Sequence, residues 1–354
     1  MPRRHLGSLA WPLFLLLTAL FGAGFKGTGE EGSDFSFVYV AIDRSTKKTE
    51  LYLKRSSPAS VPTKLTDMNT EYEHDPRPAV STDNLSALFT HTSDWPNMYR
   101  IAGLDQPTPS VTKWADNTGS AASFFPDQDK KVVFIAPLGV SLRSAKYDGS
   151  ESVEEAAQDV GLYYGASASP TLDKGNPFYD KVVFSFASNE DKSLKPHLFV
   201  KESGVVYPFL FKPLTATSSI SETWPAISPD AKRIAYIRDG YLALCDLHED
   251  DKTNSACDND FAFAGLTADT PCWTADGSRI VFSTKRDGNA EIYSVSAANA
   301  DDLENLTNSP DTDDVQPACF PNPIHQARTT IESPVNPQQP SPVIELNQLD
   351  WIKK

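Results

Sequence analysis

A short pattern recurs along this chain at nearly even spacing and leaves few folds open. Pro225-Ala-Ile-Ser-Pro-Asp-Ala leads into KRIAYI, Pro78-Ala-Val-Ser-Thr-Asp-Asn into LSALFT, and Pro271-Cys-Trp-Thr-Ala-Asp-Gly into an alternating run from Arg279 to Thr284. Shorter copies open at Ala122, Ala166 and Pro317, so successive copies stand 44, 44, 59, 46 and 46 residues apart. The copy from Pro271 to Asn308 parses as four strands: Pro271–Trp273, Arg279–Thr284, Glu291–Ser296 and Leu303–Thr307. The turns between them carry Asp-Gly and Gly-Asn, residues that accept the positive φ of tight hairpins. Four short strands in each repeat of forty-odd residues predict a β-propeller blade. The 59-residue interval reads as one blade with an insertion around Asp173 to Tyr179, since two blades would need nearly twice the length.

The ends complete the count. Residues 35–67 hold FSFVYVAID, TELYLK and PTKLTD, the second, third and fourth strands of a blade without its first. The copy at Pro317 is a first strand without the other three. Together they make one blade, so the expectation is an all-β fold: a six-bladed β-propeller closed by N- and C-terminal strands in one shared blade. Such closure leaves no open sheet edge.

At these residues the chain resembles the TolB-like six-bladed propellers, whose repeat runs roughly Asp-x-x-Pro-Ala-Trp-Ser-Pro-Asp-Gly, an Ile-Ala-Phe strand, Asp-Gly-Asn-x-Glu-Ile-Tyr and a closing Leu-Thr. The match is strong from Glu222 to Pro321, fair from Asp75 to Ala102 and poor from Asp127 to Thr215. The resemblance is to the propeller and not to the additional globular domain that precedes it in TolB. Asp75, Glu222 and Asp314 stand where the family pattern has Asp.

Residues 1–24 read as a secretory signal peptide: Arg3 and Arg4, an apolar core from Leu9 to Phe25, and small residues at the end. An uncleaved membrane anchor is the alternative, and the short core favours cleavage, with no stable span remaining afterwards. Residues 25–34 form a linker, 35–328 the propeller, and 329–354 an extended tail rich in Pro, Gln and Ser. The expected location is therefore the periplasm or the exterior. A net charge of −15 without a basic stripe argues against nucleic acid as a partner. In an oxidising compartment a Cys245–Cys257 bridge is expected, because the two flank a hairpin symmetrically. Cys272 and Cys319 lie on first strands of adjacent blades at non-equivalent positions, and are expected as buried thiols.

Gly-x-Ser-x-Gly, His-Glu-x-x-His, Gly-x-x-x-x-Gly-Lys and the calcium-loop pattern are all absent from the sequence. No catalytic residues are assigned. The best-placed polar set precedes each first strand, where propeller connections ring the channel. It comprises Glu73, His74, Asp75 and Arg77; Glu222 and Thr223; Asp269 and Thr270; and Asp313, Asp314 and Gln316. Carboxylates before strands commonly cap backbone N–H groups. Read instead as an acidic ring, they attract a cation or a basic peptide. The sequence thus points to a non-catalytic propeller that binds a protein or peptide and needs no cofactor, as in a subunit of an envelope complex. The alternatives are a carbohydrate-active lyase or hydrolase working in the channel, and an extracellular propeller stabilised by calcium or another divalent cation.

Overall fold

The computed structural model describes residues 34–57, 59–71, 75–126, 131–156, 161–189, 195–203, 212–215, 219–247, 257–299 and 302–321, with the backbone alone for 212–213, 257–262 and 264. Six sheets follow one another as antiparallel meanders. Blade A combines β25 (Thr312–Cys319), β1 (Ser36–Asp43), β2 (Lys48–Arg55) and β3 (Thr63–Lys64), with β4 (Thr70–Glu71) also on β2. Blade B is β5 (Ala79–Val80), β6 (Ser86–Thr90), β7 (Met98–Ala102) and β8 (Ser110–Ala115). Blade C is β9 (Ser120–Phe124), β10 (Lys131–Ile135), β11 (Leu142–Lys146) and β12 (Val153–Ala156). Blade D is β13 (Gly161–Ala168), β14 (Lys181–Ser188), β15 (His197–Glu202) and β16 (Lys212–Pro213). Blade E is β17 (Glu222–Ile227), β18 (Arg233–Arg238), β19 (Tyr241–Leu247) and β20 (Cys257–Thr267). Blade F is β21 (Asp269–Trp273), β22 (Arg279–Thr284), β23 (Glu291–Ser296) and β24 (Leu303–Asn305). No described helix is long and apolar enough to cross a membrane.

The second strands are nearly continuous apolar runs because each blade is sandwiched between two others. Phe37, Val38 and Val40 of β1, Val132 and Val133 of β10, and Ile280, Val281 and Phe282 of β22 are all fully buried. The core divides accordingly into six clusters, one at each junction of neighbouring blades. The sixth joins blade F to blade A through Phe37, Tyr39, Val281 and Ile292. The last described strand pairs with the first: β25 runs antiparallel to β1 from Phe37↔Cys319 to Asp43↔Thr312.

The repeat residues each have a hydrogen-bonding reason. In the turn between first and second strands, Ser81, Ser228 and Thr274 donate to Asp83, Asp230 and Asp276 at 2.5–2.6 Å. The same hydroxyls accept the N–H groups of Ser86, Arg233 and Arg279. These side chains supply partners that the tight turn denies its backbone. The Thr after the fourth strand accepts the N–H of the second residue of the third strand or its equivalent: Thr66 from Leu51 (2.9 Å), Thr307 from Ile292 (3.0 Å) and Thr215 from Leu198 (3.3 Å). Thr66 then donates to Glu50 and Thr307 to Glu291, so the Glu-Ile-Tyr and Leu-Thr motifs are two halves of one contact.

In blade D the expected insertion is the connection between β13 and β14. It carries its own Asx turns at Asp173 and Asn176, and it tucks Phe178 into the core shared with blade E.

The expectation for the cysteines needs correction. Cys272 and Cys319 form a disulfide with their Cα atoms 5.7 Å apart. Their non-equivalence, taken as an argument against a bridge, is what permits one. Successive strand residues point to opposite sides, so a residue reaching toward the next blade meets that blade's residue of opposite parity. The same step recurs as hydrogen bonds elsewhere: Ser123 accepts from Ala168 N–H (2.9 Å) and Ser167 from Ile227 N–H (3.1 Å). At the joint between β21 and β25 a covalent bond takes that place. Cys245 is disulfide-bonded as expected, while the side chain of its expected partner, Cys257, lies outside the described residues.

Candidate functional site: the channel mouth

The six first strands line the central channel. Pro is tolerated in them because each is the innermost strand of its sheet, with one neighbour only. Around the residue before the repeat's Pro or Ala, the first strands of blades A, C, D, E and F carry a register shift, an extra residue inserted against the second strand. Such bulges re-aim side chains. The residues at this step are Arg77, Ala121, Gly165, Trp224, Thr270 and Gln316. Five have left-handed φ between 43° and 55°, and Gly165 alone lacks a Cβ. For bulky or β-branched residues this backbone costs on the order of 1–3 kcal/mol each. The strain is met by what the side chains then do together.

Trp224 lies flat over Gly165, where a Cβ would come within 2.7 Å of the indole. The Arg77 guanidinium stacks on the Trp224 ring, 3.6 Å from its centroid. Its Nε donates to Asp75 at 3.1 Å, its second terminal nitrogen pairs with the same carboxylate, and its other terminal nitrogen reaches the Tyr164 carbonyl at 3.4 Å. The Arg77 N–H donates to Gln316 Oε1 at 2.9 Å. Four blades are thus drawn together at one level, and the channel is narrowed there by an arginine–tryptophan layer. A cavity of about 110 Å³ adjoins this layer, bounded by Arg77, Trp224, Thr270 and Gln316 and by the prolines that follow them, Pro78, Pro225, Pro271 and Pro317. Below it a second cavity of about 240 Å³ runs past Cys272, Trp273 and Cys319 to Pro321.

Asp269 is exposed to the channel, yet the surrounding protein raises its carboxyl above the ordinary range by desolvation. Arg77 opposes that shift and Asp75 adds to it, so the three share one electrostatic field. The Thr270 hydroxyl is buried and makes no hydrogen bond among the described residues.

Of the residues named from the sequence, the structure places Asp75, Arg77, Asp269, Thr270 and Gln316 near one another at the start of the first strands, and sets others apart. Glu222 and Asp314 are fully buried and do not stand on an accessible mouth, which corrects the reading of an acidic ring. The cause is the blade joint. Each donates its backbone N–H to a carbonyl just before the preceding blade's third strand, Glu222 to Pro196 (2.8 Å) and Asp314 to Ala290 (2.7 Å). Their carboxylates turn to Thr215 and Thr312. Asp313 is likewise engaged at the joint, accepting the Ala290 N–H at 2.9 Å. Thr223 is half-buried and pairs with Ile237 in the β17–β18 ladder. Glu73 and His74 lie outside the described residues. Trp224 was not among the expected residues. Its signal was available: it occupies the Arg77 position of the repeat, immediately before Pro225.

Among the described residues no group of three or more His, Cys, Asp or Glu side chains is arranged to hold a metal ion.

No family model matches the chain, and no curated protein matches it by sequence. Solved structures do. TolB from Acinetobacter baumannii superposes with a TM-score of 0.61 at 18% identity, over 81% of this chain and 66% of that one. A chain of a nidogen/laminin complex gives a TM-score of 0.58 at 10% identity, over 81% of this chain and 99% of that one. Hydrazine synthase of Kuenenia stuttgartiensis gives 0.58 at 13% identity, over 82% and 48%. At such identities the likeness is one of fold: the chain is a six-bladed β-propeller, similar in fold to the propeller of TolB.

Proposed function

We propose that this chain is a non-catalytic binding propeller of an oxidising compartment, periplasmic or extracellular, that takes a protein or peptide at the channel mouth. The observation that carries the reading is the arginine–tryptophan layer. Small-molecule sites generally enclose about 300–1,000 Å³, whereas the cavity at the Arg77–Trp224 layer encloses about 110 Å³. That is room for one side chain or a chain terminus, with the rest of the partner resting on the rim. The layer offers an aromatic face, a guanidinium and two carboxylates, a set suited to a peptide's mixed polar and apolar chemistry. The similar propeller solved in a nidogen/laminin complex supports the reading, and the Cys272–Cys319 bridge supports the compartment.

Panning a random peptide library against the immobilised protein tests this. Selected peptides are expected to lose at least about tenfold in affinity on Asp269→Asn, an exposed change, and on Trp224→Ala. Binding near the carboxylates is also expected to weaken with salt. Selection that yields only peptides indifferent to both substitutions would overturn the mouth as the binding face.

A further inference from the structure

A cavity of about 540 Å³, larger than either channel cavity, lies away from the channel, between blades A and B. Its lining includes Leu65 and Met68 of blade A, flanked by the charged Lys64 and Asp67, and His91, Tyr99, Pro107 and Pro109 of blade B, with Val111 on the lip at 41% exposure. Tyr99 and His91 stand side by side with ring centroids 4.9 Å apart. The Tyr99 hydroxyl donates to Asp94 at 2.7 Å, and Lys113 holds Asp94 at 3.1 Å, so the tyrosine ring is fixed in place. Burial lowers the pKa of His91, which favours the neutral imidazole beside Tyr99. A fixed aromatic wall beside prolines is the surface that recognises polyproline II segments, whose backbone has little entropy to lose on binding.

Such a segment exists in the chain itself. Beyond the described residues, Pro334, Pro337 and Pro340 recur every third residue, with Pro342 close behind. A polyproline II helix has three residues per turn, so this spacing puts the prolines on one edge. The topology brings the segment's root near the groove. First strands run from the Arg77 level toward Pro321, and each later strand reverses direction. The connection between third and fourth strands, which in blade B carries Pro107 and Pro109, therefore lies at the same end of the ring as Pro321. Pro321 follows β25 in blade A, which forms one wall of the groove. Pro334 stands thirteen residues beyond Pro321. That length can span up to about 43 Å, against roughly 14 Å for the three inter-strand steps from β25 out to β3.

We propose that the groove between blades A and B is the docking site of this chain's own proline-rich segment, Ser333–Leu346. The tethered segment covers the Tyr99 wall and keeps other proline-rich chains out of it.

Fluorescence anisotropy with a labelled peptide of residues 333–346 tests the assignment on two proteins, the full chain and one ending at Gln326, which keeps every described strand. Saturable binding to the shortened protein is expected, at least about tenfold weaker binding to the full chain because the tether acts at roughly millimolar effective concentration, and loss of binding on Val111→Asp or with a peptide carrying Pro337→Ala and Pro340→Ala. Circular dichroism of the Val111→Asp protein checks that the exposed substitution leaves the fold intact. The proposal fails if the shortened protein does not bind the peptide, if Val111→Asp leaves binding unchanged, or if the full chain binds as tightly as the shortened one. Concentration-dependent dimers of the full chain that vanish on shortening would assign the groove to a second copy's tail and overturn the intrachain form.

Discussion

Asp314 is a carboxylic acid in a site built for a neutral group. It is fully buried, one oxygen accepts from Thr312 at 2.7 Å, and the other has no hydrogen-bond partner among the described residues. Desolvation, reinforced by the Glu291 charge, raises its pKa to about 6. A folded-state value above the unfolded one means the stabilising contribution is present at low pH and is lost as pH rises through about 6. Asp314→Asn, which keeps the acceptor toward Thr312, is therefore expected to match the wild type near pH 4 and to exceed it at pH 8. The gap should be about 3 kcal/mol, read from urea denaturation at both pH values. Equal stability of the two proteins at pH 8 would refute the buried charge. The repeat placed Asp314 and Glu222 at the position of Asp75, and that equivalence is real in sequence. It misled about exposure, because two of the three carboxylates turn into the joint while Asp75 turns to Arg77.

At the level of strands and turns, the Ser/Thr–Asp knots and the threonine closing each blade were legible, because a side chain that replaces a backbone partner must recur at fixed spacing. The contact between Thr307, the Ile292 N–H and Glu291 carries a testable energy. Thr307→Val keeps the volume and removes the hydroxyl, which leaves a buried donor and a buried carboxylate short of a partner. A loss of about 1–3 kcal/mol is expected in equilibrium unfolding; a change under about 0.5 kcal/mol would show that water substitutes for the hydroxyl. The bulges in the first strands were not legible, since one inserted residue re-aims a side chain without altering the period. For that reason Trp224 was missed although its position was on view. The cysteine joint was misjudged by comparing repeat positions where the parity of facing strands decides. Cys272 and Cys319 close a loop with a sequence separation of 47, for which chain entropy predicts about 4 kcal/mol of stabilisation. The Cys272→Ser, Cys319→Ser double variant should show a lower melting temperature, and reduction of the wild type should reproduce it.

For the whole molecule, the number of blades was legible because length, period and the two partial copies agree, and the interior follows as six equivalent joints. A ring of equal joints is as sound as its weakest one. Ending the chain before Pro317 removes the Pro317–Cys319 end of β25, one half of the disulfide, and part of the channel wall. The destabilisation should exceed the few kcal/mol typical of point substitutions, and the shortened protein should associate through its exposed β1 edge. A monomer with an unchanged melting temperature would contradict this. The place of the disulfide also decides how the ring bears load. Cys319 is the last residue of β25, and β1 begins beside it at the same end of the ladder. Tension on both ends of the chain would therefore peel the β25–β1 pair apart one rung at a time, the weakest way to pull a sheet. With the bridge in place, tension from the tail passes through Cys319 into Cys272 and blade F, and never reaches the rungs between Thr312 and Ala318. Oxidised, the closure behaves as a buckle; reduced, it behaves as a zip fastener.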